Sequence, residues 1–228
     1  MYAAVSTRPD IAFSVSILSQ FMRDPASAHR EAVKQLIHHL QDIKDMKLIL
    51  ETTNEGLEAF LDTDWTSQPH RHSISRYVVL LHESPVVWSA RKQSSIALST
   101  AETENIALIS VMCEVIYLQA LANEFDEPTK TPMKIHCDNQ GAIKLASNNE
   151  FHARIKRINN RYHFVRTLIR NEDVVLQYIP TDENLADVFT RAPPRTRLEK
   201  LRDKMGLDCA RGGVLRSESD MNESERSQ

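Results

Sequence analysis

Four acidic side chains along this sequence are of the type that binds hard divalent cations. Asp62 lies within an apolar strand pattern, Glu104 opens a long helix, and Asp138 ends a later strand. Asp187 lies in a late helix, three residues after Asn184 and on the same side of it. Carboxylate oxygens are the ligands that Mg²⁺ prefers, and several of them together balance its charge. Chemistry of this kind requires the fold to bring the four side chains to one place.

Two of these acids also have a purely structural interpretation. Asp138 stands between a strand and a helix, where open α/β sheets place their chemistry, but its side chain could instead cap the helix. The capping hydrogen bonds would come from the amides of Gln140 or Gly141. Asp187 could form a surface ion pair with Arg191, four residues further on. From the sequence, both alternatives stay open.

The other two acids are harder to explain without a partner. Asp62 and Asp64 project to one face of a strand, where two carboxylates repel each other unless positive charge lies nearby; the alternative is a solvated strand end. Glu102 is explained as the partner of Ser99 in a capping box. Glu104 has no capping role and heads an apolar helix stripe, where a carboxylate is costly unless it is paired or binds a metal. Glu104, rather than Glu102, is therefore the candidate site residue.

Hydrophobic periodicity predicts an α/β chain. Helices fill residues 1 to about 50, with a break at Met22–Pro25 and a short strand at Met46–Leu50. A meander of three antiparallel strands follows, and then a long helix and alternating strands and helices. The predicted strands are Leu57–Trp65, Arg76–His82, Val86–Ala90, Met133–Cys137 and Val174–Ile179, with a turn at 83–85. The predicted helices are Ser99–Phe125, one after Asp138, Phe151–Arg170, one with Asp187, and Leu198–Met205. In the first of these helices, the residues expected to face the sheet are Ala107, Leu108, Val111, Val115 and Leu118.

Composition is typical of a soluble globular protein. Of the 228 residues, 41% are hydrophobic and 26% are charged, which argues against general disorder and against a membrane protein. No apolar run is expected to approach the roughly 18 residues that span a bilayer, and the first residues lack a signal-peptide pattern. The 3 cysteines lie far apart and predict reduced thiols. We therefore expect an intracellular protein without a membrane partner.

The strongest charge asymmetry lies in Phe151–Arg170, which contains basic residues throughout and no acidic residue. Apolar residues at helical spacing predict an amphipathic helix with one basic face. Such a face is either a solvated helix surface or a phosphate-binding surface. The formal net charge of -3 excludes a chain that is basic all over, but it does not exclude a local basic face.

The order of the elements and acids resembles the ribonuclease H fold. The fold class that this implies is an α/β mixed sheet, three antiparallel strands then parallel strands, flanked by helices and preceded by a small helical segment. More closely, the motifs resemble those of the ribonuclease H domain in copia-type retrotransposon polyproteins. The matching motifs are Leu61–Trp65, Trp88–Gln93, Leu98–Glu104, Cys137–Gln140, Phe151–Arg154, Arg161–Arg166 and Glu183–Thr190.

The resemblance covers roughly residues 2 to 214 and implies four segments. Residues 1–52 would be the C-terminal remnant of a reverse transcriptase, with thumb-like or connection-like helices, because Thr7–Ala12 resembles the segment after the polymerase palm. Residues 53–195 would form the ribonuclease H-like domain. Residues 196–214 would hold a C-terminal helix and the polyprotein end, which Arg211–Val214 resembles, and 215–228 would be a disordered tail.

The resemblance also implies hydrolysis of the RNA strand in RNA–DNA hybrids by two Mg²⁺ ions, with Mn²⁺ as a substitute. The implied catalytic residues and metal ligands are Asp62, Glu104, Asp138 and Asp187, with Asp64 and Asn184 as auxiliary residues. The implied nucleic-acid-binding residues are Arg154, Lys156, Arg161, Asn139 and Gln140. The alternative is a catalytically inactive remnant that binds nucleic acid or is only a folded relic.

Partners and a location follow from the same resemblance. The partners would be an RNA–DNA hybrid and the reverse transcriptase portion of the parent polyprotein. The location would be cytoplasmic, in a virus-like particle, with a nuclear phase as a further option. The paired-aspartate motif of the polymerase is absent from the sequence, so this chain is not expected to polymerise DNA on its own.

Several residues depart from the family's pattern without replacing any of the four acids. Arg76 stands where the family usually has Gly, and Asn105 stands where it usually has Tyr. Asn159 and Asn160 replace the usual Asp and Ile. A large residue at a glycine position destabilises the fold if the backbone there requires a positive φ. The departures are therefore expected to affect stability and efficiency rather than identity.

Overall fold

The computed structural model describes residues 1–51, 53–64, 72–93, 100–127, 129, 131–147, 159–189 and 195–209. The helices are α1 (Tyr2–Ser6), α2 (Ala12–Ser19), α3 (Ser27–Asp42), α4 (Thr100–Glu124), α5 (Gln140–Ser147), α6 (Asn159–Arg170) and α7 (Arg195–Lys204), with short 3-10 helices at Pro9–Ile11 and Leu185–Phe189. The strands are β1 (Met46–Leu48), β2 (Leu57–Asp64), β3 (Ile74–Leu81), β4 (Ser84–Lys92), β5 (Met133–Cys137), β6 (Val174–Tyr178) and β7 (Leu207–Cys209). The predicted capping residue Ser99 and the predicted tail lie outside the described residues.

Five strands form the main sheet, in the order β4-β3-β2-β5-β6. Strands β2, β3 and β4 pair antiparallel, β5 pairs in parallel with β2, and β6 pairs in parallel with β5. Helices lie on both faces, and a helical segment precedes the sheet. The predicted α/β class is therefore confirmed: three antiparallel strands, then parallel strands, flanked by helices.

The hairpin between β3 and β4 turns one residue earlier than predicted. His82 and Glu83 form its loop, with φ values of 53° and 62°, and Leu81 pairs with Ser84. Two-residue loops favour positive φ because that backbone matches the twist of the flanking strands. His and Glu seldom adopt this conformation, so the sequence gives little sign of it. The turn predicted at 83–85 was therefore wrong, because Ser84 already belongs to β4.

Two apolar clusters enclose the main sheet. Alternation along β2 directs Ala59 and Leu61 toward α4, and Phe60 toward the opposite face. On the α4 side, four of the five residues in the predicted stripe are at most 3% exposed, and the fifth packs against them. The opposite face is covered by the second 3-10 helix and α7, where Phe189 packs with Val78 of β3. The predicted orientation of α4 is therefore confirmed.

By length and composition alone, the 23-residue segment Glu102–Glu124 of α4 is apolar enough to cross a membrane. The expectation that no apolar run approaches that length was wrong. The sheet-facing side of this helix belongs to the core, because Val111 and Met112 are both 0% exposed. A helix that covers a buried sheet needs a wide apolar face, which accounts for its composition.

A second, small sheet joins the segment after α3 to the last described residues. β1 pairs antiparallel with β7, and Met46 lies opposite Cys209. β1 was predicted, whereas three residues are too few for β7 to show a strand period. Gly206 precedes β7 with φ +66°, and a Cβ there would lie 2.5 Å from the carbonyl oxygen of Ile49. Only glycine therefore suits this position.

The N-terminal helices pack on the main sheet. The indole Nε1 of Trp88 in β4 donates a hydrogen bond to the carbonyl oxygen of Ala4 at 2.7 Å. The side chain of Asp10 is 0% exposed and forms ion pairs with Arg8 and with Arg202 of α7. Residues on both sides of the central segment therefore contribute to one packed unit, and the divisions after residues 52 and 195 stay predictions.

Candidate acidic site at the end of the sheet

Two of the predicted site acids come from neighbouring parallel strands. Leu61 of β2 pairs with Cys137 of β5, so Asp62 and Asp138, the next residues in each strand's sequence, lie at the same level of the sheet. Asp62 still belongs to β2, whereas Asp138 follows the last residue of β5. This is the edge of a parallel strand pair at which α/β proteins commonly place functional groups.

Asn184 connects a third acid to this edge. Its amide Nδ2 donates to the carbonyl oxygen of Leu61 at 2.9 Å, and its Oδ1 accepts a hydrogen bond from the amide of Ala186 at 3.1 Å. Asn184 is 0% exposed and immediately precedes the second 3-10 helix, which carries Asp187. The predicted helix is thus a single short 3-10 turn, and Asn184 holds it against β2 beside Asp62.

Glu104 reaches the site from the first turns of α4 and is buried there. Its Oε1 accepts a hydrogen bond from Nδ2 of Asn139 at 3.3 Å. Its Oε2 is buried and makes no hydrogen bond within 3.5 Å to a described residue, although the side chain of Thr63 lies close enough to lower the pKa of Glu104. The prediction that Glu104 lies on the buried side of the helix is confirmed.

The residue that caps α5 is Asn139. Its Oδ1 accepts a hydrogen bond from the amide of Ala142 at 3.1 Å, as an N-cap side chain does. The carboxylate of Asp138 instead accepts a hydrogen bond from the hydroxyl of Thr181 at 2.8 Å. The capping interpretation of Asp138 was therefore wrong by one residue, because the following Asn already supplies the acceptor that the helix needs.

Arg76 is a site residue that the sequence did not indicate. Its guanidinium donates to Oδ2 of Asp62 at 3.0 Å and to Oδ2 of Asp64 at 3.5 Å, and it lies 5.5 Å from the ring centroid of Phe13. Arg76 lies in β3 directly opposite Asp62 and is 2% exposed. Its φ is not positive, so the expected backbone strain does not arise. The antiparallel pairing with Asp62 is the signal that would have found it.

A second arginine contacts Asp187. Arg197 of α7 donates to the carboxylate of Asp187 and, at 2.7 Å, to the carbonyl oxygen of Thr181. The side chain of Arg197 is 33% exposed, so water reaches it. The predicted partner, Arg191, lies outside the described residues. Sequence spacing could not indicate Arg197, because it contacts the acid from a different helix.

Burial raises the pKa of three of the site acids. Burial raises the pKa of Asp62 to about 7; Arg76 opposes this rise, and Asp138 and Asp187 add to it. Burial is also the main cause of the raised pKa values of Glu104 and Asp187, and Asp138 adds to both. Asp138 therefore lies within electrostatic reach of the other three acids, although no contact between carboxylates is needed for that effect.

The donor chemistry of the site fits a divalent metal ion. All four acids offer hard oxygen ligands, and the unpartnered Oε2 of Glu104 is an acceptor that a cation would satisfy. In the part of the chain that the structure describes, no three His, Cys, Asp or Glu side chains stand close enough together to hold a metal. Two of the four acids, Asp62 and Asp187, are engaged by arginines. The ligand types are therefore suitable, whereas part of the coordination capacity is already in use.

The predicted nucleic-acid-binding residues are only partly described. Arg154 and Lys156 lie outside the described residues, and Arg161 falls within α6. Asn139 and Gln140 stand at the start of α5, next to the acidic site. Their roles stay predictions.

Comparison with known proteins gives relatives but no matching family model. The chain is 34% identical over 208 residues to the retrovirus-related Pol polyprotein from transposon TNT 1-94 of Nicotiana tabacum, covering 91% of this chain and 16% of that protein. It is 32% identical over 203 residues to the corresponding polyprotein from transposon RE1 of Arabidopsis thaliana, covering 88% and 14%. Among solved structures, the N-terminal RNase H domain of rv2228c from Mycobacterium tuberculosis is 12% identical with a TM-score of 0.43, covering 64% of this chain and 96% of that one.

The sequence relatives agree with the resemblance that the motifs indicate. The chain spans 14% to 16% of the length of the two transposon polyproteins. Identity at this level extends over 88% to 91% of the chain. The homologues of this chain are therefore the retrovirus-related Pol polyproteins of plant copia-type transposons.

Proposed function

We propose that this chain is a ribonuclease H domain that hydrolyses the RNA strand of RNA–DNA hybrids. The observation that carries the proposal is the approach of four acids from four separate elements toward one end of the sheet, with Asp138 influencing the other three. An acidic cluster of this kind is costly in a folded protein unless a cation compensates it. Sequence similarity to retrovirus-related Pol polyproteins supports the same function.

The proposed metal ligands are Asp62, Glu104, Asp138 and Asp187, which would hold two Mg²⁺ ions or Mn²⁺ in their place. When bound, the ions supply an activated water and stabilise the leaving oxygen of the phosphodiester. Two further residues are proposed to assist. Asn184 positions Asp187 by attaching its short helix to β2, and Asp64 adds a carboxylate on the strand face of Asp62.

The proposed substrate is recognised by its backbone and its 2′-hydroxyls rather than by its base sequence. Arg154, Lys156 and Arg161 would contact phosphates. Asn139 and Gln140 would contact the strand at the start of α5, beside the acids. A protein held through phosphates should bind more weakly as salt is added.

The reverse transcriptase portion of a parent polyprotein is a proposed second partner. Large apolar side chains are exposed on the N-terminal segment, including Tyr2 at 85%, Met22 at 78% and Ile37 at 50%. Exposed apolar groups on one segment commonly mark a protein contact. The N-terminal helices would therefore lie between the main sheet and the polymerase.

A cleavage assay with Asp138→Asn tests the proposed function. The unsubstituted protein should cut the RNA strand of a hybrid only when Mg²⁺ or Mn²⁺ is present, and it should leave double-stranded DNA intact. Asp138→Asn should lower the rate by about 100-fold or more, because it removes the carboxylate common to the whole site. Asp42→Asn, at an exposed position on α3, is the matched control and should keep full activity.

The result that would overturn the proposal is a cut that needs no metal or that survives Asp138→Asn. Hybrid binding without cleavage, weakened by salt, would favour the inactive remnant instead. The assay therefore separates the two functions considered from the sequence.

A further inference from the structure

The strand carboxylates are bridged by a cation that belongs to the chain itself. Asp62 and Asp64 share one face of β2, and the guanidinium of Arg76 contacts both of them, at 3.0 Å and 3.5 Å. Like charges on one strand face repel each other, and a single fork-shaped cation can relieve both. Arg76 therefore supplies the positive charge that this part of the site requires.

This cation is held permanently in its charged form. An arginine does not lose its proton in a protein, and Arg76 is 2% exposed, so water cannot screen it. The ring of Phe13 lies 5.5 Å from the guanidinium and adds a favourable cation-π contact from the side of α2. The fold thus places a buried, unscreened positive charge beside Asp62.

A guanidinium in contact with these carboxylates opposes the binding of a divalent ion. It uses Oδ2 of each strand carboxylate as an acceptor, and it repels any second cation that approaches them. The contact is incomplete, however, because Nε of Arg76 is buried without a hydrogen-bond partner among the described residues. A cavity of about 480 Å³, lined by Arg76, Asp64 and side chains of α2 and α3, lies beside it. The side chain therefore has room to move away when a stronger cation competes.

We propose that Arg76 is a built-in competitor of the divalent metal ion, which lowers the metal affinity of the site by occupying Asp62 and Asp64. The inference rests on the proposed function in one respect, because it takes Asp62 as a metal ligand. Metal binding then requires the guanidinium to leave the carboxylates. The chain should consequently bind metal weakly, and removing the guanidinium should strengthen binding.

The test is Mn²⁺ binding by Arg76→Met, measured by electron paramagnetic resonance of free Mn²⁺ with Mg²⁺ calorimetry alongside. Methionine keeps most of the side-chain volume and removes the charge. At about pH 8.5, where protons compete least for the carboxylates, Arg76→Met should bind Mn²⁺ at least about tenfold more tightly than the unsubstituted protein, because a repelling charge next to the ligands is gone. Arg91→Met removes the same charge from an exposed position on β4 and should change the affinity by less than about twofold.

An unchanged or weaker Mn²⁺ affinity in Arg76→Met would overturn the inference. If that variant does not fold, as judged by circular dichroism, Arg76→Gln replaces it with the same expectation. The unsubstituted protein gives a further check without any variant, since Mn²⁺ binding as tight as that of an unobstructed carboxylate site, about 10 µM or below, would also contradict competition.

Hybrid cleavage by the same proteins separates this inference from the proposed function. If Arg76→Met gains metal affinity while neither protein cleaves the hybrid at saturating Mn²⁺, the inference stands and the nuclease function fails. If the unsubstituted protein cleaves the hybrid and Arg76→Met gains no affinity, the function stands and the competition is refuted.

Discussion

The two halves of the acidic site hold their carboxylates by different means. On the β2–β3 side, the buried guanidinium of Arg76 contacts the strand carboxylates. On the α4–β5 side the donors are neutral, with the amide of Asn139 on Glu104 and the hydroxyl of Thr181 on Asp138. A charged donor cancels the charge of its acceptor, whereas a neutral donor orients it and leaves the charge in place. The α4–β5 half therefore retains the stronger attraction for a cation.

Arg76→Met removes the charged donor from the β2–β3 half of the site and should have the largest effect on stability. Arg76 opposes the rise that brings the pKa of Asp62 to about 7, so its loss should raise that pKa further. Below this pKa the side chain of Asp62 is protonated and neutral, so its burial does not destabilise the folded state. As pH rises through the pKa, the unfolded chain holds fewer protons than the folded one, and stability is lost. The cost should reach about 3 kcal/mol above pH 8 without metal.

Urea unfolding of Arg76→Met in the presence of a chelator measures this effect at about pH 6 and pH 8.5. Arg91→Met is the control and should follow the unsubstituted protein at both pH values. An Arg76→Met penalty that is the same at both values would show that volume, and not charge, dominates the position.

Substitutions of Asn139 test the neutral donor in the α4–β5 half of the site. Asn139→Ala removes both the cap of α5 and the donor to Glu104, with an expected loss of about 1 to 2 kcal/mol. Asn139→Asp keeps an acceptor for the amide of Ala142 but places a second carboxylate against Glu104. It should therefore keep the helix cap and raise the pKa of Glu104 beyond its already elevated value.

Carboxyl-carbon NMR titration of Glu104 and chemical unfolding distinguish the two Asn139 variants. Asn139→Ala should lose more stability than Asn139→Asp at a pH low enough for Glu104 to be protonated. Equal losses in the two variants would mean that Asn139 acts mainly through its amide donor, which both variants lack, and not as a cap.

Arg197→Met should have the smallest effect, although Arg197 also pairs with a site acid. Its side chain is 33% exposed, so solvent already screens its interaction with Asp187. The expected loss is about 1 kcal/mol or less. The measurement is the unfolding free energy at low and high salt, and a loss as large as that for Arg76→Met would show that exposure does not decide between the two arginines.

The sequence was sufficient where local pattern and tertiary packing agree. The alternation in β2 and β5, the Val-rich and Leu-rich composition of β3 and the apolar stripe of α4 placed the sheet and its covering helix correctly. The burial of Glu104 followed from the same stripe, because a residue at that helical position has to face the sheet.

The contacts that distinguish this site join residues on different helices and strands. Local sequence pattern does not indicate which of these elements meet. Arg76 meets Asp62 through strand register, and Arg197 meets Asp187 from α7. The departure from glycine at position 76 was recognisable in the sequence, but its expected consequence concerned the backbone. The structure assigns the consequence to the side chain, since the strand backbone at Arg76 is one that any residue adopts.

The pairing of β1 with β7 has a consequence for the order of folding during synthesis. Its partners lie about 160 residues apart, whereas β2, β3 and β4 pair with their immediate neighbours in sequence. The antiparallel part of the main sheet can therefore assemble while the chain is still being translated. β1 emerges early and has to wait for Leu207–Cys209, so the small sheet forms only after the acidic site has been synthesised in full.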